Sequence, residues 1–145
     1  MRHNGWKRID EVENNAFVES SRINSTFGGN IVDMVRATRI LEIIKEDNLI
    51  KNARIKGEKI KKILQDIQKD FPDLISNARG LGLMCSFDLP NTKIRDEFKK
   101  RCFEDNMLIL PCGKKSIRFR PILCIEDREL ELADEKIRLV LKKMR

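Results

Sequence analysis

NARGLGLMCSFDLP, residues 77–90, sets the fold class. Before this stretch the apolar residues recur every three or four positions, whereas within it they recur at every second position. Such alternation is typical of a strand with one apolar face, and the glycines in the middle favour a turn. We therefore predict strand, turn, strand, with an apolar face made of Leu81, Leu83, Cys85 and Phe87.

Two long helices are predicted upstream. IVDMVRATRILEIIKED, residues 31–47, has apolar residues at helical spacing, and Asn30 is expected to cap it by accepting an amide proton. A second helix is predicted from about Leu49 to Phe71. Gly57 lies in its apolar stripe and is interpreted as allowing a close packing approach, because glycine costs helix propensity. The apolar faces are Met34, Ala37, Leu41 and Ile44 in the first helix and Ala53, Gly57, Ile60, Leu64, Ile67 and Phe71 in the second.

A short helix and two more strands are predicted downstream. The helix, TKIRDEFKKRCF, is capped by Asn91 or Thr92, and one of its faces carries Ile94, Phe98 and Cys102. MLIL at residues 107–110 and SIRFRPIL at residues 116–123 are interpreted as two strands joined by a turn at PCGKK.

The last helix is predicted over residues 126–145. Its acidic residues gather in the first turns and its basic residues in the last, which suits the helix dipole at both ends. The whole pattern predicts an α+β architecture, with helices packed on one face of a small sheet. The side chains that this helix is expected to bury are Leu130, Ala133, Ile137, Val140 or Leu141, and Met144.

Composition limits the class of protein. A chain of 145 residues is long enough for one domain with a core, and 37% charged with 41% hydrophobic residues indicates a globular chain. No apolar run approaches the roughly 20 residues of a membrane span. No apolar segment follows the first charges, as it would in a secretory signal, so we expect a cytoplasmic protein without a membrane partner. Residues 1–30 are polar and lack periodicity, so they are predicted to be an arm separate from residues 31–145.

The charge and the cysteines exclude two kinds of site. The net charge is +7, but the basic residues alternate with acidic ones around apolar stripes, so we expect no nucleic-acid partner. The four cysteines form no CxxC pair and the only histidine is His3, which excludes a zinc site of the finger type. The cysteines are therefore expected to be reduced thiols, mostly in the core.

Two polar motifs are candidate ligand sites. RINSTFGGN, residues 22–30, places two hydroxyl groups and a Gly-Gly pair before a helix N-terminus, which would favour a phosphate. A capped turn explains the same residues, and the sequence leaves both interpretations open. In SIRFRPIL, alternation places Arg118 and Arg120 opposite Ile117 and Phe119, so either arginine could bind a carboxylate or simply face water.

These motifs together resemble a known family. STFGGN before a long helix, RGLGLM on a strand and IRFRP near the C-terminus occur in the same order in class III pyridoxal-phosphate-dependent aminotransferases. GGNIVDMVRATRILEII, LMCSFDLP and SIRFRP are most similar to the lysine 6-aminotransferase branch. The resemblance implies a fold-type I transferase, of which residues 31–145 would be the small C-terminal domain and residues 1–30 an arm from the large pyridoxal-phosphate-binding domain.

The resemblance also implies site residues. Thr26 would donate to the phosphate of pyridoxal 5'-phosphate (PLP) held mainly by the other subunit, with assistance from Ser25, and Asn24 would line the substrate side. Arg118 would bind the carboxylate of the amino acid or of 2-oxoglutarate, leaving Arg120 a structural role.

No residue of this chain matches the catalytic lysine that the family bonds to PLP. Lys7 lies in a segment that follows that lysine in the family, so the chain alone is expected to be inactive and to act as a homodimer or with a complementary large-domain chain. The alternatives are a non-catalytic dimerisation or interaction module, one half of a split aminotransferase, and an enzyme for another omega-amino donor such as ornithine.

Overall fold

The computed structural model describes residues 11–15, 18, 22 and 25–145. The chain divides into two compact units, Met1–Glu42 and Ile43–Arg145. The functional boundary between residues 30 and 31 stays a prediction. Of the residues considered above, His3, Lys7 and Asn24 lie outside the described part of the chain.

The described chain has four helices and four strands, in the predicted order. Within the described residues, no helix is long and apolar enough to cross a membrane. The elements are α1 (Ile31–Glu46), α2 (Leu49–Asp70), β1 (Ser76–Leu81), β2 (Met84–Asp88), α3 (Thr92–Glu104), β3 (Leu110–Cys112), β4 (Ser116–Phe119) and α4 (Asp127–Met144). The prediction of an α+β fold is confirmed. The prediction of a strand at residues 107–110 is wrong, because only Leu110 of that run pairs with β4 and the strand continues into the expected turn.

The sheet is antiparallel throughout, with the strand order β1-β2-β4-β3. Strands β1 and β2 form a hairpin around Gly82, which has the positive φ of 53° that glycine adopts without strain. Strand β4 then pairs with β2, so that Ser86 lies opposite Arg118 and Phe87 lies opposite Ile117. The alternation of side chains therefore gives the sheet one core face and one open face, and the latter carries Ser86 and Arg118.

The core face of the sheet packs against helices α2, α3 and α4. Phe87 from β2 contacts Phe98 of α3 edge-to-face, with ring centroids 5.7 Å apart. The predicted stripe of α2 is confirmed, with Ala53 partly buried and its other members buried. In α4 the buried residues are Leu130, Ile137, Val140 and Leu141. The sequence predicted burial of either Val140 or Leu141, and the structure buries both.

Two predictions about burial are wrong. Side chains alternate along β2, so Met84 lies on the open face whereas Cys85 and Phe87 lie on the core face. Leu81 pairs with Met84 and therefore also lies on the open face, where it is 86% exposed. Two of the four cysteines, Cys112 and Cys124, are exposed, because Cys112 is the last residue of the short edge strand β3 and Cys124 lies in a loop.

Helix α1 also differs from expectation. Its apolar residues do not make one buried face: Met34 is 60% exposed and Leu41 is 66% exposed, and no residue of the helix is buried. The sequence accounts for this, because isoleucine, valine and leucine occur all round the helix rather than in one stripe. A helix with such a pattern is ordinarily surrounded by other protein.

Candidate functional site

The loop of residues 25–30 is built from two overlapping turns. The amide of Gly28 donates to the carbonyl oxygen of Ser25 at 3.0 Å, and the amide of Asn30 donates to that of Phe27 at 3.3 Å. A Cβ atom at Gly28 would lie 3.2 Å from the Ser25 carbonyl oxygen, so the turn itself explains this glycine. Gly29 has a φ of +77° and open space where a Cβ would be.

Asn30 caps helix α1, as predicted. Its side-chain oxygen accepts from the amide of Val32 at 2.9 Å, and its carbonyl oxygen accepts from the amide of Met34 at 3.0 Å. The capped-turn interpretation of the motif is therefore confirmed. The cap and the turns leave several hydroxyl and amide donors of the loop without an acceptor among the described residues.

The donors that remain in this loop fit a phosphate. Ser25 and Thr26 are exposed, and within the described residues the amides of Thr26, Phe27 and Gly29 make no hydrogen bond. Two hydroxyl groups and several backbone amides at a helix N-terminus form the kind of donor set that binds a phosphate group. The chemistry of this loop therefore agrees with the phosphate-binding interpretation.

Arg118 lies in the middle of β4, on the open face of the sheet. The residue is half-buried, and its Nε atom is buried without a hydrogen-bond partner among the described residues. An unsatisfied buried donor costs about 1–3 kcal/mol, and more when the group is charged. Arg120, by contrast, follows the end of the strand and is exposed. Of the two candidate arginines, Arg118 is therefore the one that has a buried donor without an acceptor among the described residues.

A cavity of about 300 Å³ adjoins Arg118. Its walls are mainly apolar and come from α2, α4 and the segments around β3 and β4, and both Arg118 and Arg120 contribute to the lining. This cavity could not be predicted from the sequence, because its wall residues are far apart in the chain. Among them are Ile60, Leu64, Met107, Phe119 and Leu130.

Next to Arg118 on the open face is a carboxylate cluster that sequence reasoning missed. Asp88 is buried and accepts from the hydroxyl of Ser116 at 2.6 Å, from Arg79 Nη1 at 3.0 Å and from Asn77 Nδ2 at 3.0 Å. Burial raises the pKa of Asp88, but the hydrogen bonds from Ser116, Asn77 and Arg79 outweigh it, so the pKa lies below the usual value. The sequence could not predict this cluster, because it depends on the register of β2 and β4, which places Ser116 opposite Asp88.

We expect Asp88→Asn to lower the free energy of unfolding by about 2 kcal/mol at neutral pH, because the three donors lose a charged acceptor. The pKa of Asp88 is lower in the folded chain than the unfolded value of about 4. Ionised Asp88 therefore stabilises the fold above that value, and the contribution is lost as the pH falls through the folded pKa. Urea unfolding at pH 7, 5 and 3 measures the difference between the wild type and the variant.

A matched control is Asp66→Asn. The hydrogen bond from Lys69 also lowers the pKa of Asp66, but this pair is exposed on α2 and screened by solvent, so we expect only a small change. An Asp88→Asn deficit that is the same at pH 3 as at pH 7 would contradict the assignment.

The predicted site residues lie in two places. Ser25 and Thr26 belong to the first compact unit, and Arg118 and Arg120 belong to the second. Asn24 lies outside the described residues. Each unit thus offers one donor set for an anion, a phosphate-type loop in the first and a guanidinium on a sheet in the second.

Comparison with known proteins identifies the family. The model of the class III aminotransferases matches residues 6–141. The chain belongs to the class III aminotransferase family. It is 45% identical over 130 residues to an L-lysine-epsilon aminotransferase of Streptomyces clavuligerus. These matched residues cover 89% of this chain and 28% of that protein. It is 42% identical over 135 residues to the corresponding Mycobacterium tuberculosis protein, covering 93% of this chain and 30% of that one.

Solved structures of this class share the fold. A lysine aminotransferase from M. tuberculosis superposes with a TM-score of 0.85 at 40% identity, covering 95% of this chain and 32% of that one. An ornithine aminotransferase from Plasmodium yoelii superposes with a TM-score of 0.79 at 24% identity, which shows likeness of fold alone. The resemblance to the lysine branch is confirmed. The chain spans about 30% of the length of the lysine-branch relatives.

Proposed function

We propose that this chain is the part of a PLP-dependent lysine 6-aminotransferase that binds the substrate carboxylate and assists in binding the cofactor phosphate. The reaction is transfer of the terminal amino group of lysine to 2-oxoglutarate, in the cytoplasm. Membership of the class III family and the 42–45% identity to lysine-epsilon aminotransferases support the reaction class. The observation that carries the role of this chain is the buried Nε atom of Arg118, which has no acceptor among the described residues.

Arg118 orients the substrate through its carboxylate. A guanidinium group binds a carboxylate through two parallel hydrogen bonds, which fix the direction of the ligand as well as its position. Both lysine and 2-oxoglutarate carry a carboxylate, so one arginine serves both halves of the reaction. Holding that end of the substrate keeps the reacting end in place, which is how positioning lowers the barrier.

The loop of residues 25–30 holds the phosphate of PLP. Thr26 donates its hydroxyl to a phosphate oxygen, and Ser25 and the free amides of the loop add further donors. Asn24, the residue before this loop in the sequence, lines the substrate side. When it is bound, PLP supplies the electron sink that stabilises negative charge next to the reacting amine.

The remaining catalytic groups come from outside these 145 residues. The lysine that bonds to PLP and moves the proton between carbons has no counterpart at Lys7, so the chain alone is inactive. It works as a homodimer of a longer protein or with a complementary large-domain chain. The 135 matched residues cover 30% of the M. tuberculosis relative, which is consistent with this arrangement.

A chimaera tests the proposed function. Residues 22–145 replace the matched segment of the M. tuberculosis lysine aminotransferase, and transfer of the terminal amine of lysine to 2-oxoglutarate is measured. We expect activity within about tenfold of the parent enzyme, and none from the isolated chain, because only the chimaera contains both donor sets and the catalytic lysine. Thr26→Val in the chimaera should weaken PLP binding, with Thr38→Val as the control on an exposed helix position.

Two results would contradict the proposal. One is a folded chimaera that has no transaminase activity with lysine. The other is lysine transaminase activity in the isolated chain, since that would require a catalytic lysine among these 145 residues. Activity with ornithine in preference to lysine would retain the reaction class but replace the donor.

Helix α1 favours a second candidate, a non-catalytic interaction module. Its apolar side chains are exposed all round, and Ile31 and Val35, for example, are 78% and 65% exposed. Such a helix would suit a dimerising domain that no longer takes part in catalysis. Sedimentation of the isolated chain tests this second function, because it requires a stable dimer, and a monomeric chain would exclude it; the first function is tested by the activity of the chimaera.

A further inference from the structure

The open face of the sheet carries two neighbouring rows of polar side chains. In one row Asp88 lies opposite Ser116, and in the next row Ser86 lies opposite Arg118. Residues directly opposite each other in an antiparallel pair have Cβ atoms about 4.5–5.5 Å apart, so each pair can share one ligand. All four residues belong to the second compact unit, in which the register is continuous.

The first row, with Asp88 and Ser116, contains a carboxylate that accepts hydrogen bonds from neighbouring side chains. There a carboxylate, that of Asp88, receives hydrogen bonds from a serine hydroxyl and from an arginine guanidinium. The arginine is Arg79, which also donates to the carbonyl oxygen of Asn77 at 2.8 Å. In the first row the donors and the acceptor are both supplied by the chain itself.

The second row has the same donors without an acceptor. The Nε atom of Arg118 is buried and lacks a hydrogen-bond partner among the described residues. Ser86 is half-buried, and its hydroxyl group makes no hydrogen bond to any group that the structure describes. Arg79, although it lies opposite Ser86, turns its guanidinium to Asp88. The second row thus consists of a serine and an arginine that lack the carboxylate of the first.

We propose that Ser86 is a second carboxylate donor, which acts together with Arg118 on the same substrate carboxylate. This rests on the proposed function, in which Arg118 binds that group. The carboxylate accepts from the Arg118 guanidinium at the Nε edge and from the Ser86 hydroxyl, which reproduces the donors that Asp88 receives one row away. Ser86 is a specificity-determining residue, because its neutral hydroxyl adds a directional hydrogen bond that charge attraction alone does not provide.

Proton–nitrogen NMR of the isolated chain tests this proposal at the Nε–H resonance of Arg118, assigned with Arg118→Lys. The probe is 6-aminohexanoate, which has the carboxylate, the aliphatic chain and the terminal amine of lysine. We expect a saturable shift of this resonance, and an affinity about tenfold lower in Ser86→Ala, as the loss of one hydrogen bond to a charged group predicts. Ser86→Thr keeps the hydroxyl and should retain most of the affinity.

Controls separate this role from a structural one. Ser76→Ala, on the edge strand of the same sheet, should leave the affinity unchanged, and hexylamine, which lacks a carboxylate, should cause no shift. Equal affinity in the wild type and in Ser86→Ala would overturn the role of Ser86 while leaving Arg118 in place. A sulfate affinity equal to that of 6-aminohexanoate, or no shift of Arg118 at all, would overturn the carboxylate site. Because the titration needs no catalysis, it is independent of the chimaera activity.

Discussion

Gly57→Ala is expected to lower the free energy of unfolding by about 3 kcal/mol. A Cβ atom at this position of α2 would lie 2.2 Å from the carbonyl oxygen of Gly82 and 2.6 Å from its Cα atom. Both atoms belong to the backbone of the β1–β2 hairpin, so a side-chain rotation cannot relieve the overlap. The helix and the hairpin would have to separate, and the packing of Leu64 and Cys85 behind them would loosen.

The sign of this change is the informative quantity. In an exposed helix interior, replacement of glycine by alanine stabilises by about 1 kcal/mol, because alanine has the higher helix propensity. A loss of stability therefore reports the close approach of the two backbones and nothing else about the helix. Urea unfolding of the isolated chain measures it, with Arg54→Ala, one turn earlier and exposed, as the control that should change by less than about 0.5 kcal/mol. An alanine variant as stable as the wild type would refute the contact.

Arg118→Met in the chimaera is expected to lower kcat/KM for lysine by about 30-fold or more, because removing one partner of a hydrogen-bonded charge pair costs about 2–5 kcal/mol. Arg118→Lys should recover only part of the loss, since an ammonium group cannot form the paired hydrogen bonds of a guanidinium. The decisive comparison is with 1,5-diaminopentane, which has the reacting amine of lysine without its carboxylate. Its kcat/KM should be nearly the same in the wild type and in Arg118→Met.

Arg120→Met provides the matched control. It removes the same charge two residues away, from a position that is exposed and beyond the end of β4. We expect little change with either substrate. If Arg118→Met slows lysine and 1,5-diaminopentane equally, Arg118 does not bind the carboxylate, and its effect is on the structure of the site.

Local pattern predicted the helices well. In α2 the apolar residues from Ile60 to Ile67 recur at helical spacing, and burial follows that spacing in the structure. In α3 the choice between two caps is settled by the amide of Ile94, which donates to the side chain of Asn91 at 3.0 Å. These features depend on residues three or four positions apart, so the sequence contains the information needed to predict them.

Pairing between distant strands was not predictable in the same way. Leu81 continued the alternation of Cys85 and Phe87 in the sequence, but the two-residue turn at Gly82 places it opposite Met84 and reverses its face. The run at residues 107–110 was apolar enough for a strand, but β4 selects residues 110–112 instead. In both cases the partner strand, rather than the segment itself, determined the outcome.

The candidate site, like the fold, was only partly predictable from the sequence. The sequence by itself determined the α+β class, the cap at Asn30 and, through its motifs, the choice of Thr26 and Arg118 as candidate ligand residues. The tertiary structure alone showed that the Nε atom of Arg118 is buried without an acceptor and that Ser86 lies beside it. The reason is physical: a helix or a turn is fixed by neighbours in the chain, whereas burial and cross-strand register depend on segments that are distant in the chain, such as β2 and β4, which meet only when the core forms.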